Sequence, residues 1–163
     1  MRRFDLGSLV LELPSNSELR LTRRTDGVIE KADVVIGAVS LEFMVFSAPA
    51  DPLWPEIRDE LKSGLVAANG TVRERPGPWG AEVWAQLGES GPSGELQVRH
   101  LRFAVQEGPG WILRGLFEWD GSRSAERDIA QLETVFRRAI VVTGFDSPPA
   151  REKLPLRNPI QEP

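Results

Sequence analysis

Apolar and polar residues alternate over Leu9–Leu13, and the turn-forming run Pro14-Ser15-Asn16-Ser17 closes that stretch. This is the pattern of a half-buried strand. Leu19 and Leu21 alternate with Arg20 and Thr22, and Asp26-Gly27 then predicts a hairpin turn, since glycine supplies the positive φ of a tight turn. Two more strands are predicted over 28–36 and 39–47, the second with Val39, Leu41, Phe43 and Val45 on one face. The period then lengthens. Trp54, Ile57, Leu61, Leu65 and Ala68 recur at three- and four-residue spacing, which predicts a helix. Asp51 reads as its N-cap with Pro52 in the first turn, and Asn69-Gly70 as its stop.

The strand pattern returns over 71–75, is interrupted by Pro76-Gly77-Pro78-Trp79-Gly80, read as a loop, and resumes over 81–87. A glycine-rich connector over 88–94 leads to strands at 96–106 and 111–119, joined by Glu107-Gly108-Pro109-Gly110 as a hairpin. A second helix is predicted over 124–140, with Ser124 as its cap and Ile129, Leu132, Val135, Phe136 and Ala139 on its apolar side. This order argues for an α+β fold, an antiparallel sheet with two main helices packed on it. A single domain is expected over 1–146, followed by an extended proline-rich tail over 147–163 with five prolines. Such a tail is expected to run extended, and not as a helix or central strand. Its Leu154, Leu156 and Ile160 predict that it docks on its own domain or on a partner.

Composition removes whole classes of chemistry. The 163 residues include no cysteine and one histidine, His100, so disulfides, thiolate metal sites and cysteine nucleophiles are excluded. A serine–histidine triad would rest on His100 alone, and no Gly-x-Ser-x-Gly elbow accompanies it. No phosphate-loop or dinucleotide-binding glycine motif is present, and no acidic spacing supports a metal. Neither catalytic residues nor a cofactor is therefore expected. The formal net charge of −4 argues against nucleic acid as a partner held by bulk electrostatics. No stretch has the length and apolarity of a membrane span, and the expected compartment is the cytoplasm.

Candidate sites are few. Phe103 shares a face with Leu101 and Val105 and reads as core, whereas Glu82 and Glu118 read as the solvated face of their strands. Arginine outnumbers lysine 17 to 3. Arg99, Arg102 and Arg114 are the candidate ligand-binding cluster, with Arg99 and Arg114 projecting from adjacent strands as an anion clamp. Trp79, in its glycine–proline loop, reads either as a plug for the sheet or as a binding anchor.

Several segments taken in order resemble an uncharacterised actinobacterial family, domain of unknown function 3710. They are Phe4-Asp5-Leu6-Gly7-Ser8-Leu9, Phe46-Ser47-Ala48-Pro49, Leu53-Trp54-Pro55-Glu56-Ile57-Arg58 and Gly77-Pro78-Trp79-Gly80-Ala81-Glu82. Gly108-Pro109-Gly110-Trp111-Ile112-Leu113-Arg114-Gly115 and Leu154-Pro155-Leu156-Arg157 complete the set. The resemblance implies a cytoplasmic actinobacterial protein and carries over no catalytic residue. The element order also resembles the PsbP-like sandwich, a fold that mostly serves binding or assembly. The expected function is a non-enzymatic binding or scaffold module acting through protein–protein contacts at Trp79, Leu154, Leu156 and Arg157. The alternative is a binder of, or enzyme on, a small or phosphorylated ligand, using the arginine cluster. A protein partner is expected, and self-association stays open.

Overall fold

The fold is that of a computed structural model, which describes residues 1–48, 53–143 and 152–162. Five strands come first: β1 (Arg2–Gly7), β2 (Leu9–Leu13), β3 (Glu18–Arg23), β4 (Ile29–Ile36) and β5 (Val39–Ser47). Helix α1 (Trp54–Ala67) precedes β6 (Thr71–Gly77), β7 (Gly80–Ser90), β8 (Leu96–Gly108) and β9 (Trp111–Trp119). A 3₁₀ turn (Arg123–Ala125) leads into α2 (Glu126–Arg138), followed by β10 (Ile140–Val141) and β11 (Leu156–Glu162). The sheet order is β10-β2-β1-β11-β4-β5-β9-β8-β7-β6, with β3 paired to β4. Every pairing among the described strands is antiparallel, so the class is α+β, as the sequence pattern predicts.

Cross-strand register divides the sheet into two faces. Leu41, Phe43 and Val45 of β5 share one face with Ala104, Leu113 and Phe117, and α2 covers it with Leu132, Val135 and Phe136. Val83, Ala85, Leu101, Phe103, Val105 and Ile112 lie on the other face, beneath Trp54 and Leu65 of α1. Gly115 is required where α2 comes down. A Cβ there would stand 2.7 Å from the Phe136 ring, so any side chain would lift the helix off the sheet.

Several predicted boundaries move. Asp51 and Pro52 lie outside the described residues, and Leu53 occupies the N-cap position of α1 without a side-chain cap. The predicted stop of that helix is found, with Asn69 at a φ of 63°. Ser122, not Ser124, caps the second helical segment, its Oγ accepting from the Ser124 N–H at 3.1 Å. Ile140 leaves the helix to pair with Val10. The stretch read as a five-residue loop is a two-residue connection, because β6 runs to Gly77 and β7 starts at Gly80.

The tail is the main correction. β4 pairs with β5 only from Ala32–Phe43 onward, which leaves their far ends forked. Residues 152–154 enter that fork: Ser47 N–H donates to Glu152 O at 2.9 Å, and Leu154 N–H donates to Val45 O at 2.8 Å. Leu156 then pairs with Ile29, and β11 continues along β1 from Gly7 to Arg3. The proline objection fails for a local reason. Pro159 falls in the stretch where the register shifts between Leu156 and Ile160, and a missing N–H is tolerated at such an irregularity. Leu156, with only 7% of its surface exposed, belongs to the main core. Leu156→Ala is expected to lower the unfolding free energy by about 2–5 kcal/mol, read by urea denaturation. A change within about 0.5 kcal/mol, the size typical of a surface substitution, would mean that this strand adds nothing to the core.

Candidate functional site

The three candidate arginines do not form one site. In β8 the alternation puts Arg102 on the α2 face, opposite Phe117, whereas Arg99 and Arg114 lie on the α1 face. Arg114 pairs with Val105 in register, six residues along β8 from Arg99, or about 20 Å at roughly 3.3 Å per residue. The expected clamp therefore has no common ligand position. Arg99 donates through Nε to Glu118 at 2.5 Å, and Arg114 through Nη2 to Glu42 at 3.2 Å. Burial lowers the pKa of Arg114, with Glu42 only partly offsetting it, and its buried Nε has no hydrogen-bond partner. That guanidinium forms the polar end of a cleft of about 340 Å³ between α1 and the sheet, walled by Phe46, Ile57, Leu61, Val105 and Ile112.

Arg102 is a structural lock. Its side chain is 5% exposed and donates to both oxygens of Glu82, at 2.9 and 3.0 Å, and to Glu133 of α2 at 2.6 Å. Burial opposes the charge, and the hydrogen bonds and fields of the two carboxylates outweigh it, so the guanidinium is held above its ordinary pKa. Glu82 is correspondingly buried, with 2% of its surface exposed, and not on a solvated face as expected. The alternation was read correctly, but the face that holds Glu82 is roofed by α2.

The expected partner contacts are engaged within the chain. Trp79 stands edge-on to Phe136 with ring centroids 4.7 Å apart, and Leu154 packs against the same core. Leu156 is buried, and Arg157 donates to Asp5 at 2.7 Å. On the α1 face, Lys31 and Arg114 share Glu42. Beside them Asp33 is half-buried, and burial, reinforced by Glu42 and Glu118, raises its pKa above the ordinary 3.8.

A different group of residues is left open. Toward the β6 end of the sheet, register aligns Thr71, Gln86, His100 and Trp119 in one row across β6–β9, and Arg73, Trp84, Arg102 and Phe117 in the next. Thr71, Arg73, Arg75, Trp84, Gln86 and His100 line a concavity of about 190 Å³. The Arg75 guanidinium lies 4.2 Å from the Trp84 ring centroid, and the indole N–H donates to Glu82 at 3.1 Å. Trp84 meets Trp119 edge-on at 5.8 Å, and His100 leans on Trp119 at 5.7 Å. Arg73 and Arg75 are exposed, and neither has an ion pair with a carboxylate among the described residues. The nearest carboxylate on this face, Glu82, is already taken by Arg102. The signal that reveals this patch is hairpin register. With Gly77 opposite Gly80, Arg73 must face Trp84, and reading 76–80 as a five-residue loop conceals that alignment.

The chain is thus an α+β domain with one sheet face partly open. A family model described as "Protein of unknown function (DUF3710)" matches residues 1–162, and the chain belongs to that family. No curated protein matches it. Among solved structures, it is similar to a Bacteroides thetaiotaomicron protein at TM-score 0.51 and 12% identity, over 88% of this chain and 50% of that one. It is also similar to the solution structure of cyanobacterial PsbP (CyanoP) from Synechocystis, at TM-score 0.48 and 12% identity, over 86% of this chain and 91% of that one. The chain spans half the length of the Bacteroides protein, and at 12% identity that likeness concerns the fold alone.

Two substitutions separate the buried arginine from the exposed one. Arg102→Ala leaves Glu82 unpaired inside the protein and is expected to cost about 3–5 kcal/mol. Arg99→Ala, at a side chain 40% exposed, is expected to cost less than about 1 kcal/mol. Equal losses in denaturant unfolding would remove the distinction. Asp33 makes a pH prediction. Its raised folded pKa means that the folded state retains a proton the unfolded chain gives up, so this carboxyl weakens the fold as pH rises above 3.8. Asp33→Asn should therefore be more stable than the parent at pH 7, with the gain shrinking as pH falls through the raised folded pKa toward 3.8 and largely gone below it. A gain independent of pH would show that charge burial is not its origin.

Proposed function

We propose that this protein is a cytoplasmic, non-enzymatic binding module that holds an anionic partner on the open face formed by Arg73, Arg75, Trp84, Gln86 and His100. The observation that carries the reading is the pair of arginines two residues apart, on one face, with no carboxylate of their own among the described residues. Elsewhere on the sheet Arg99, Arg102, Arg114 and Arg157 each face Glu or Asp. A cation with no ion pair and its guanidinium over an indole, as Arg75 lies over Trp84, is held in place for an incoming anion at little further ordering cost. Gln86 and Thr71 add hydrogen-bonding groups at the same concavity. Against chemistry at this place stands the setting of His100, which lies against Trp119 and beside Gly121 with no serine or carboxylate oriented by it among the described residues.

Poly-L-glutamate is a direct probe. Titrated into the full chain at low salt, it is expected to shift the Trp84 indole N–H in nuclear magnetic resonance spectra, with binding weakening as salt is raised. Arg73→Glu with Arg75→Glu should abolish the shift, whereas Arg20→Glu, at an arginine already paired with Glu18, should leave it in place. The same response from both variants would refute an anion site here.

A further inference from the structure

The open face ends at a free sheet edge. Among the described residues β6 is the last strand in the sheet order, paired with β7 on one side only. Its residues from Thr71 to Pro76 are exposed apart from half-buried Val72. A strand with one side unpaired presents a row of backbone N–H and C=O groups, and added peptide strands use that row for affinity and alternate side chains for specificity. Resting on the anion-site reading above, we infer that β6 takes an extended acidic peptide as an additional antiparallel strand.

The side chains of β6 specify that peptide. Residues directly opposite across an antiparallel pair share a face, so the positions facing Arg75 and Arg73 are two apart and lie on the open side with Trp84. Both should be acidic. The position between them faces Glu74, which is already bridged by Arg58 at 2.7 Å and Lys62 at 2.8 Å. With Asp59 also 3.6 Å from Lys62, the charges there are already matched, so the facing position is neutral. The next position faces Val72, half-buried against the α1-side core, and should be apolar. In chain direction the peptide reads acidic, neutral, acidic, apolar, as in Glu-Thr-Glu-Val. Pro76 has no N–H to offer, so the ladder is confined to Thr71–Arg75. A second copy of this chain is a poor occupant. Antiparallel β6–β6 pairing centred on Glu74 sets Arg73 opposite Arg75, and like charges directly opposite destabilise a pair.

The test is isothermal titration of the full chain with an eight-residue peptide centred on Glu-Thr-Glu-Val. Four comparison ligands are used: a reordered Glu-Glu-Thr-Val peptide, two forms of the first peptide N-methylated at alternate backbone positions, one in each phase, and a single-stranded oligothymidylate. The expected result is that the first peptide binds, reordering weakens it, and one N-methylation phase abolishes binding while the other spares it. Arg73→Ala with Arg75→Ala should weaken binding by about two- to thirty-fold, from roughly 0.2–1 kcal/mol per opposite-charge pair. If all acidic peptides bind alike and N-methylation has no effect, strand addition is wrong while the anion site stands. Binding of oligothymidylate without the peptides would likewise keep the site and replace its partner with nucleic acid. If no anion binds, both readings fall.

Discussion

Phe136 is fully buried, and its ring meets Phe43 of β5, Phe117 of β9 and Trp79 of the β6–β7 turn, at centroid distances of 6.0, 6.1 and 4.7 Å. Those partners come from three separate stretches of chain, brought together only because Gly115 lets the ring rest on the sheet. Once α2 is seated there, its neighbouring turn carries Glu133 to Arg102, and Gln106 donates to the Phe136 carbonyl at 2.7 Å. The same seating limits how far α2 extends over the sheet. It covers the middle and leaves the outer part of β6–β8 uncovered by any described element, which is why Trp84, Arg73 and Arg75 face solvent.

Arginine serves opposite ends within a few ångströms on this face. Arg102 is desolvated, and its fixed fork suits a carboxylate bound through both oxygens, so it ties two strands and a helix together through Glu82 and Glu133. Arg75 is the cross-strand neighbour of that same Glu82 and makes no ion pair with it among the described residues. The lock and the open site therefore adjoin at one carboxylate. Trp84 stands between them, with Arg75 at 4.2 Å and Arg102 at 5.3 Å from its ring. Its indole N–H is committed to the same Glu82.

Local patterns were legible where local physics decides them. The alternation in β5 correctly puts Val39, Leu41, Phe43 and Val45 in the core, and the three- and four-residue stripe correctly marks α1. The α+β class follows from the order of those elements. The candidate site was much less legible. Residues 88–94 do not disclose the β7–β8 register, so nothing local says that Arg102 finds Glu82 and not solvent. Alternation does separate Arg102 from Arg99 and Arg114, but which face receives which helix depends on packing.

The tail shows the limit most plainly. Its prolines argue against a strand when each is judged by its own missing N–H. Yet Leu156–Glu162 finds a place because β4 and β5 part at one end and β2 occupies only one side of β1, leaving the other for β11. The chain by itself determined the periodicities, the turn glycines, the absence of thiol chemistry, and the two apolar helix faces, since these depend on residue type and near-neighbour spacing. Only the tertiary structure decided which arginines are neutralised, where the tail pairs and which edge stays free. Each of these depends on contacts between residues far apart in sequence, and the register of those contacts is set by packing.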